Sequence, residues 1–357
     1  MAPTLLVAVA ATALLVVMAL AGCQGGGEGS SPTTASSAPP ASFDGMAALG
    51  FVRGLALDAD LTPRFRMPGT PGQAEGAAYL WSQMEVPGWT RQWQNFTGAD
   101  YLALNRTVVS AYGPGSSYCA HADEAALPQW PFHNLLAVRK GTSSTHLVLL
   151  GAHWDSQMDS NVDPDPAKRG DPDPGANDGA SGVGLLMQLM RHLRDAQLPF
   201  DVGVVLLDGE DGFYNCYPLA GSLYFVAHPA VAAHRFLLLD MVGDPNARYV
   251  RESQSVASDP RLMDILWSHG RALGGAKSFT GKATTIVDDH VAFIEAGIPA
   301  VDLVDAGWDS GYGFPPQWDT TSDTIEKVSP DMLGLVGGAI AGALQDPAFA
   351  ADWPADA

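Results

Sequence analysis

The stretch LVLLGAHWDS (residues 147–156) begins with an unbroken run of apolar and small residues and turns polar at His153. Such a run is typical of a strand that helices cover on both faces of a sheet. Two later stretches have the same form, VGVVLLDGED (residues 202–211) and RFLLLD (residues 235–240). Because ligands bind at the carboxyl ends of the strands in open α/β sheets, these polar ends predict a site at one sheet edge.

Between these strands the apolar positions follow a helical period. Residues 179–196 open with small residues and then place on one helical face Val183, Leu186, Met190 and Leu193. Strands that alternate with helices predict an α/β fold, a three-layer α/β/α sandwich with a mixed, mostly parallel central sheet. Helices are also predicted over residues 45–57, 71–84, 221–228, 259–273 and 288–297 and from Pro330, and early antiparallel strands over residues 89–96, 101–112 and 133–139.

The N-terminal residues are apolar and lead directly to Leu20-Ala21-Gly22-Cys23, which matches a lipobox. We interpret residues 1–22 as a signal peptide, which predicts an extracytoplasmic protein anchored to the cell membrane as a lipoprotein. A transmembrane anchor and the cleaved signal peptide of a secreted protein stay open as alternatives, because no Lys or Arg precedes the run. Residues 23–42 are rich in Gly, Ser and Pro and predict a tether, so residues 43–350 are expected to form a single domain.

The chain of 357 residues is strongly acidic, with a formal net charge of −20 at pH 7. This charge argues against nucleic acid and against an anionic membrane surface as partners. We expect a monomer. With Cys23 lipidated, Cys119 and Cys216 remain, and either a disulfide or two separate buried thiols fit the sequence.

Further polar residues stand at predicted turns and helix starts. Asp178 lies in the string PGANDGASG, and Asp288, Asp289 and His290 open a predicted helix. Several carboxylates with a histidine, spread along one domain, predict a site for a divalent metal ion and for acid–base catalysis. The Asp-rich loop 155–175 lacks the spacing of an EF-hand, so a solvated loop is predicted there in preference to a calcium site.

The order of these strings resembles that of the zinc aminopeptidase superfamily, the clan MH metallopeptidases. The strings are His153-Trp154-Asp155, Asn177-Asp178, Asp208-Gly209-Glu210-Asp211, Asp240 and Asp288-Asp289-His290. Four strings resemble the glutaminyl-peptide cyclotransferase (glutaminyl cyclase) branch in particular: RMPGTPG (residues 66–72), LDMVGDPN (residues 239–246), DDH (residues 288–290) and FPPQW (residues 314–318). The resemblance extends over residues 66–344 and implies a fold like that of the zinc aminopeptidases.

The resemblance to the cyclase branch also implies roles for individual residues. Glu210 would take a proton from the α-amine of an N-terminal glutamine and pass it to the leaving ammonia. The implied catalytic residues are Glu210, Asp240 and Asp288, and the implied metal ligands are Asp178, Asp211, Asp319 and His153.

Other residues are implied to surround this site. Phe314 and Trp318 would wall a pocket for the N-termini of peptides. Asp289 and His290 are expected behind the site, with His290 in a structural, hydrogen-bonded role. Asp155 either orients His153 through a hydrogen bond or is an exposed acid in the turn.

Two implied ligands depart from the family pattern, since Asp211 stands where the family has Glu and Asp319 where it has His. One ion would then meet three carboxylates and no imidazole. The family implies zinc, whereas manganese, magnesium and calcium also accept such a set. A second ion stays open, because in an aminopeptidase His153, Asp178 and Asp240 would hold one ion and Asp178 would bridge to another.

Three functions are therefore considered. The first is a metal-dependent glutaminyl-peptide cyclotransferase, which converts the N-terminal glutamine of peptides to pyroglutamate and releases ammonia. The second is a metal-dependent aminopeptidase of the same superfamily. The third, suggested by the two altered ligands, is a non-catalytic binding protein with a degenerate metal site. It ranks last because Glu210, Asp240 and Asp288 are all present.

Overall fold

The fold is built around a mixed, mostly parallel sheet. The computed structural model describes residues 42–104, 126–143, 146–211 and 218–351. Its strands are β1 (Trp89–Thr97), β2 (Pro131–Arg139), β3 (Leu147–His153), β4 (Asp201–Leu207), β5 (Arg235–Asp240), β6 (Tyr249–Glu252), β7 (Phe279–Thr284) and β8 (Ala300–Val304). Within the described residues, six strands form the main sheet in the order β1-β2-β4-β3-β5-β8, and β6 and β7 form a separate parallel pair. The pairs β1–β2 and β2–β4 are antiparallel and the other pairs of the main sheet are parallel.

Helices connect these strands. They are α1 (Gly45–Ala56), α2 (Pro71–Gln83), α3 (Gly98–Ala103), α4 (Ala180–His192), α5 (Ala220–Ala227), α6 (Ser253–Ser258), α7 (Pro260–Ala272), α8 (Asp289–Glu295) and α9 (Pro330–Gln345). Among the described residues, no helix combines the length and the apolar character that crossing a membrane requires. The predictions for residues 1–22, Cys119 and Cys216 fall outside the described residues.

The helices cover both faces of the sheet. Successive side chains of a strand point to opposite faces, and the core divides accordingly. Val148 and Leu150 belong to the larger core, which includes residues of α1, α4, α7 and α9. Leu149 belongs to the smaller core on the other face, with Phe236 and with Phe293 of α8. The predicted three-layer α/β/α sandwich is confirmed.

Strand β3 marks the point where the order of the sheet reverses. The chain goes from β3 to β4 on one side and later to β5 on the other side. Ligands of open α/β sheets bind in the crevice that such a reversal leaves at the carboxyl ends of the strands. His153 is the last residue of β3 and therefore stands at this crevice.

Two predicted helix starts are confirmed in detail. The Thr70 hydroxyl accepts a hydrogen bond from the backbone N–H of Gln73 at 3.2 Å, and Pro71 follows as the first helical residue. Ser329 caps α9 in the same way, with Pro330 after it. Both starts combine a side-chain cap with a proline whose missing N–H costs the first turn nothing.

The strand predicted over residues 101–112 is wrong for its described part. Residues 98–103 form α3, and residues 105–125 lie outside the described residues. A capping box explains the helix. Asp100 N–H donates to the Thr97 hydroxyl at 3.3 Å, and Thr97 N–H donates to the Asp100 carboxylate at 2.8 Å.

The prediction of a solvated loop over residues 155–175 holds for its middle, since residues 164–171 are exposed, but not for the rest of the loop. Asp163 and Asp173 are buried within it. The Asp163 carboxylate accepts hydrogen bonds from the backbone N–H and the hydroxyl of Thr321 at 3.1 and 2.7 Å. These bonds attach the loop to the segment that follows the aromatic string FPPQW.

Arg66 connects the same loop to the end of β3. Its side chain is fully buried, and its guanidinium donates to the backbone oxygens of Trp154, Asp155, Pro174 and Gly175 at 2.7, 3.2, 3.0 and 2.7 Å. The guanidinium offers five N–H donors in a rigid fork, so one side chain satisfies both ends of the loop.

We predict that Arg66→Lys destabilises the fold by about 3 kcal/mol, because an ammonium cannot reach all these oxygens and each buried acceptor left unpaired costs about 1–3 kcal/mol. Urea unfolding followed by circular dichroism measures the loss. The matched control is Arg53→Lys, since Arg53 is exposed on α1 and should tolerate the change. Equal midpoints for the two variants would contradict the cross-linking role of Arg66.

Candidate active site

Polar side chains from three neighbouring strands meet at the crevice. His153 ends β3, Asp240 ends β5, and Glu210 and Asp211 follow β4 after a turn. Gly209 makes that turn with a φ of 76°, which favours glycine. The sequence thus folds locally so that each polar side chain emerges where its strand leaves the core.

Asp178 reaches the same place from the turn that precedes α4. Gly179 follows it with a φ of 74°, and a Cβ atom there would lie 2.7 Å from Cε1 of His153. Only glycine therefore lets the turn approach the histidine this closely. The backbone N–H groups of Asn177 and Asp178 donate to the Asp323 carboxylate at 3.0 and 2.9 Å, which fixes the turn from the other side.

The three carboxylates implied as ligands of one ion are brought together. Asp178, Asp211 and Asp319 are buried, and one oxygen atom of each lies within 4.8 Å of the others. Asp319 has a φ of 50°, a left-handed conformation in which Asp is among the favoured residues. Since metal–oxygen bonds are about 2.0–2.6 Å long, one divalent ion between these three oxygens fits the spacing.

A second set shares Asp178 with the first. The Nε2 atom of His153 lies 2.9 Å from Oδ1 of Asp178 and 3.4 Å from Oδ1 of Asp240. Its Nδ1 atom lies 3.5 Å from Oδ1 of Asp155, the position of a residue that orients a ligand. Burial lowers the pKa of His153, but the neighbouring carboxylates of Asp155, Asp178 and Asp240 outweigh it and raise the pKa well above its usual value.

Buried atoms without hydrogen-bond partners test whether both sets fit metal ions. Within the described residues, Nδ1 of His153 and Oδ1 of Asp240 are buried and make no aligned hydrogen bond. Buried polar atoms without a partner are costly. Such atoms next to carboxylates are what a site for divalent cations presents, so His153, Asp178, Asp211, Asp240 and Asp319 fit the metal that the sequence implies.

Glu210 lies beside these ligands and is only partly buried. Its backbone N–H donates to Oδ1 of Asp155 at 3.1 Å. Partial removal from water and the negative charge of Asp288 raise the pKa of the Glu210 carboxyl well above its usual value. Burial, followed by Asp178, raises the pKa of Asp240 to about 6, and burial, followed by Asp240, raises that of Asp288 to about 7. Carboxyls with such values exchange protons near neutral pH.

The two aromatic residues implied as pocket walls contact each other. The rings of Phe314 and Trp318 are 4.5 Å apart between centroids, and both side chains are half-buried. Trp318 directly precedes Asp319, so the aromatic wall and the third carboxylate belong to one turn. Exposed Tyr312 extends the aromatic surface, with its ring 5.5 Å from that of Trp318.

The other implied residues lie deeper. Asp289 and His290 are fully buried in the first turn of α8 and belong to none of the ligand sets that contain Asp178 or His153. Sequence reasoning missed Asp323 altogether, because an acid in a polar loop gives no local signal of a partner about 145 residues away. Arg66 was noticed only as part of the string RMPGTPG.

The sheet, its reversal at β3 and the cluster of strand-end carboxylates define an α/β metallopeptidase-like protein of the zinc exopeptidase class. Residues 134–344, more than half of the chain, match the model of peptidase family M28. The chain therefore belongs to that family.

Curated relatives carry two activities. The chain is 23% identical to the glutaminyl-peptide cyclotransferase of Bos taurus over 234 residues, which are 55% of this chain and 61% of that protein. It is 24% identical to aminopeptidase YwaD of Bacillus subtilis (strain 168) over 239 residues, 60% of this chain and 44% of that protein. The matches thus span less than two thirds of the length of these relatives.

Similar solved structures likewise include a peptidase and a glutaminyl cyclase. A Zn-dependent exopeptidase from Parabacteroides distasonis superposes with a TM-score of 0.72 at 25% identity, over 86% of this chain and 100% of that one. The glutaminyl cyclase of Bacteroides thetaiotaomicron superposes with a TM-score of 0.70 at 25% identity, over 85% and 98%. The fold and the family are therefore shared by cyclases and peptidases.

Asp305, just beyond β8, should make the stability of the fold depend on pH. It is fully buried, and its Oδ1 atom accepts hydrogen bonds from Arg248 N–H and Trp308 Nε1–H, both at 2.7 Å. Mainly because of burial, its pKa is raised to about 7. A carboxyl whose folded pKa exceeds its unfolded value of about 3.9 favours folding when protonated, so stability falls as pH rises from about 4 to 7 and stays lower above that.

We predict that Asp305→Asn removes this fall, because the amide oxygen keeps both accepted bonds and carries no charge. At pH 8 the variant should melt about 3 °C above the wild type, and near pH 4 the difference should disappear. Thermal unfolding at four pH values checks it, with Asp309→Asn at an exposed acid as control. Parallel pH profiles for the wild type and Asp305→Asn would show the prediction to be wrong.

Proposed function

We propose that the protein is a metal-dependent glutaminyl-peptide cyclotransferase. The observation that carries the proposal is the convergence of Asp178, Asp211 and Asp319, with Glu210 beside them and an aromatic pair directly before Asp319. The similarity to cyclases of two animals and several bacteria supports it.

Asp178, Asp211 and Asp319 would hold the ion, which we expect to be zinc by family. When bound, it supplies a Lewis acid that polarises the side-chain amide of the substrate glutamine. The charge of three carboxylates exceeds that of a divalent ion, so the site with its ion would be net negative, which weakens this polarisation. Glu210 and the aromatic wall would therefore contribute a larger share of the rate than in a site with imidazole.

Glu210 would move the proton. The α-amine nitrogen forms a bond to the side-chain carbonyl carbon, and the bond from that carbon to the amide nitrogen breaks. Glu210 takes one proton from the α-amine and gives it to the departing nitrogen, so ammonia leaves and no water is consumed. Its raised pKa, caused by partial removal from water and by Asp288, suits a group that must both accept and donate.

Asp288 and Asp240 would hold this proton path in place. Both are buried, and each raises the pKa of a neighbour, Asp288 that of Glu210 and Asp240 that of Asp288. Phe314 and Trp318 would flank the glutamine side chain and limit the access of water. Exclusion of water matters because water at the same carbon would hydrolyse the amide instead of closing the ring.

A second candidate, an aminopeptidase, is favoured by the set of His153, Asp178 and Asp240. The two sets, which share Asp178, would hold two ions, and Glu210 would act as the base toward a water molecule. The similarity to the Bacillus subtilis aminopeptidase supports this reading. The two functions differ in ion number and in whether water is a reactant.

The test compares ammonia release from a Gln-initiated peptide with leucine release from leucine amide, using the full chain with counted zinc. We expect ring closure of the Gln-peptide. Glu210→Gln should lower kcat/KM by about 10²–10⁴-fold while zinc content stays unchanged. The matched control is Glu295→Gln, an exposed glutamate at the end of α8.

Two results would decide against the cyclase, and a third would decide only against the role of Glu210. Leucine release from leucine amide, with no ammonia release from the Gln-peptide, would establish the aminopeptidase. Zinc-loaded protein that turns over neither substrate would exclude both enzymes for these substrates. Equal activity of Glu210→Gln and Glu295→Gln would remove Glu210 from the mechanism.

The ligand set itself gives a further prediction. Asp319→His should raise the preference for zinc over manganese about tenfold or more, because imidazole nitrogen suits zinc and His tolerates a positive φ. Competition titrations with a chelating indicator measure both affinities. Asp309→His, at an exposed acid, controls for unspecific binding by an added histidine. An unchanged zinc-to-manganese ratio would remove Asp319 from the ligand set.

A further inference from the structure

A second group of buried polar residues lies on the far side of Asp288. Asp302 stands in the middle of β8, opposite Leu238 of β5, and His290 lies in the first turn of α8. Glu252 ends β6. All three are fully buried. A charged residue in the middle of an apolar strand is unusual, since such residues are almost never buried without a partner.

The geometry of this group is that of a ligand set. One ligand atom each of Asp288, His290 and Asp302 lies within 4.8 Å of the other two. The Nδ1 atom of His290 is 3.7 Å from Oδ2 of Asp302. Asp288 caps α8, so the set joins the start of that helix to the strand that follows it.

The same atoms lack other partners. Among the described residues, neither oxygen of Asp302, neither ring nitrogen of His290 nor Oδ2 of Asp288 makes an aligned hydrogen bond. Each buried charge of this kind is costly unless a cation or a proton compensates it. A histidine and two acids aimed at one another therefore require positive charge between them.

Glu252 supplies the remaining element of a metal site. Its carboxylate accepts hydrogen bonds from Gln254 N–H, Ser255 N–H and the Ser255 hydroxyl at 3.0, 2.6 and 2.8 Å. These donors hold it as an anion, 3.3 Å from Nε2 of His290. An anion on that side favours the proton on Nε2 and leaves the lone pair of Nδ1 facing Asp302, the arrangement of metal-bound histidines.

We propose that Asp288, His290 and Asp302 bind a divalent transition-metal ion, with Glu252 orienting the histidine. This site shares no residue with the sets that contain Asp178, so its ion is distinct from the ion of the proposed function, although Asp288 also belongs to the proposed proton path. One nitrogen and carboxylate oxygens suit zinc or manganese, whereas calcium takes six to eight oxygens. The ion would join α8 to β8.

Metal counting tests the site without any activity assay. The full chain is loaded with zinc, passed through a desalting column and analysed for zinc per chain. Asp302→Asn should bind one equivalent less than the wild type. Asp211→Asn should lose a different equivalent, so the double variant should lose both. The matched control Asp305→Asn, at a buried acid with its own hydrogen bonds, should lose none.

Stability gives a second readout on the same proteins. With chelator present, Asp302→Asn should melt above the wild type, because the amide removes an uncompensated buried charge. With saturating zinc the order should reverse, since only the wild type gains the ion. A structural carboxylate without a metal would give the same order in both conditions, and that result would overturn the proposal.

Anomalous diffraction at the zinc edge locates the ion in the wild type, where no variant needs to fold. The expected result is a peak between Asp302 and Nδ1 of His290. A peak at Asp178 and Asp211 without one here would show that protons alone compensate the group. Equal zinc content of Asp302→Asn and the wild type would overturn the proposal in the same way.

Discussion

Repulsion between carboxylates that lie away from water is the constraint on which the site depends. Asp178, Asp211, Asp240 and Asp319 converge at one sheet edge, and burial raises the pKa of three of them, Asp211, Asp240 and Asp319. A fold with this arrangement needs positive charge or N–H donors at the same place. Arg66 and His153 are buried cationic or basic side chains beside these acids, and neither is enough to balance them.

Hydrogen bonds to and from the backbone fix the segments that carry these carboxylates. N–H groups of the turn before α4 donate hydrogen bonds to the Asp323 carboxylate. The guanidinium of Arg66 donates hydrogen bonds to backbone carbonyls of the loop between β3 and that turn. These bonds hold the turn of Asp178 and the loop after β3 in place before any ion binds. A preorganised site of this kind loses little entropy when it takes up a cation. Loop 155–175 is therefore part of the site's framework, although its Asp content alone suggested a solvated segment.

The sequence predicted what depends on local patterns. Apolar runs that end in His153 or Asp240 identified strands and their polar ends, and the proline-flanked caps at Thr70 and Ser329 fixed helix starts. What it could not predict depends on contacts between distant segments. Nothing in the neighbourhood of Asp323 indicates that it holds the turn of Asp178, and α3 replaced a strand because one capping box outweighed the alternation that followed it. Asp302 was detectable as a lone acid in an apolar strand, but its partners were not.

The ligand chemistry bears on how one fold serves both ring closure and hydrolysis. Asp178 belongs to two sets, so the backbone is compatible with one ion or with two. The difference lies in the remaining ligands. His153 is drawn toward Asp178 and Asp240 by direct contacts of 2.9 and 3.4 Å, and while those contacts persist its Nε2 atom is not free to bind an ion. A histidine held in this way must release these contacts before the second set can bind an ion. The first set, which contains no histidine, is the set in which a divalent ion would meet only carboxylates.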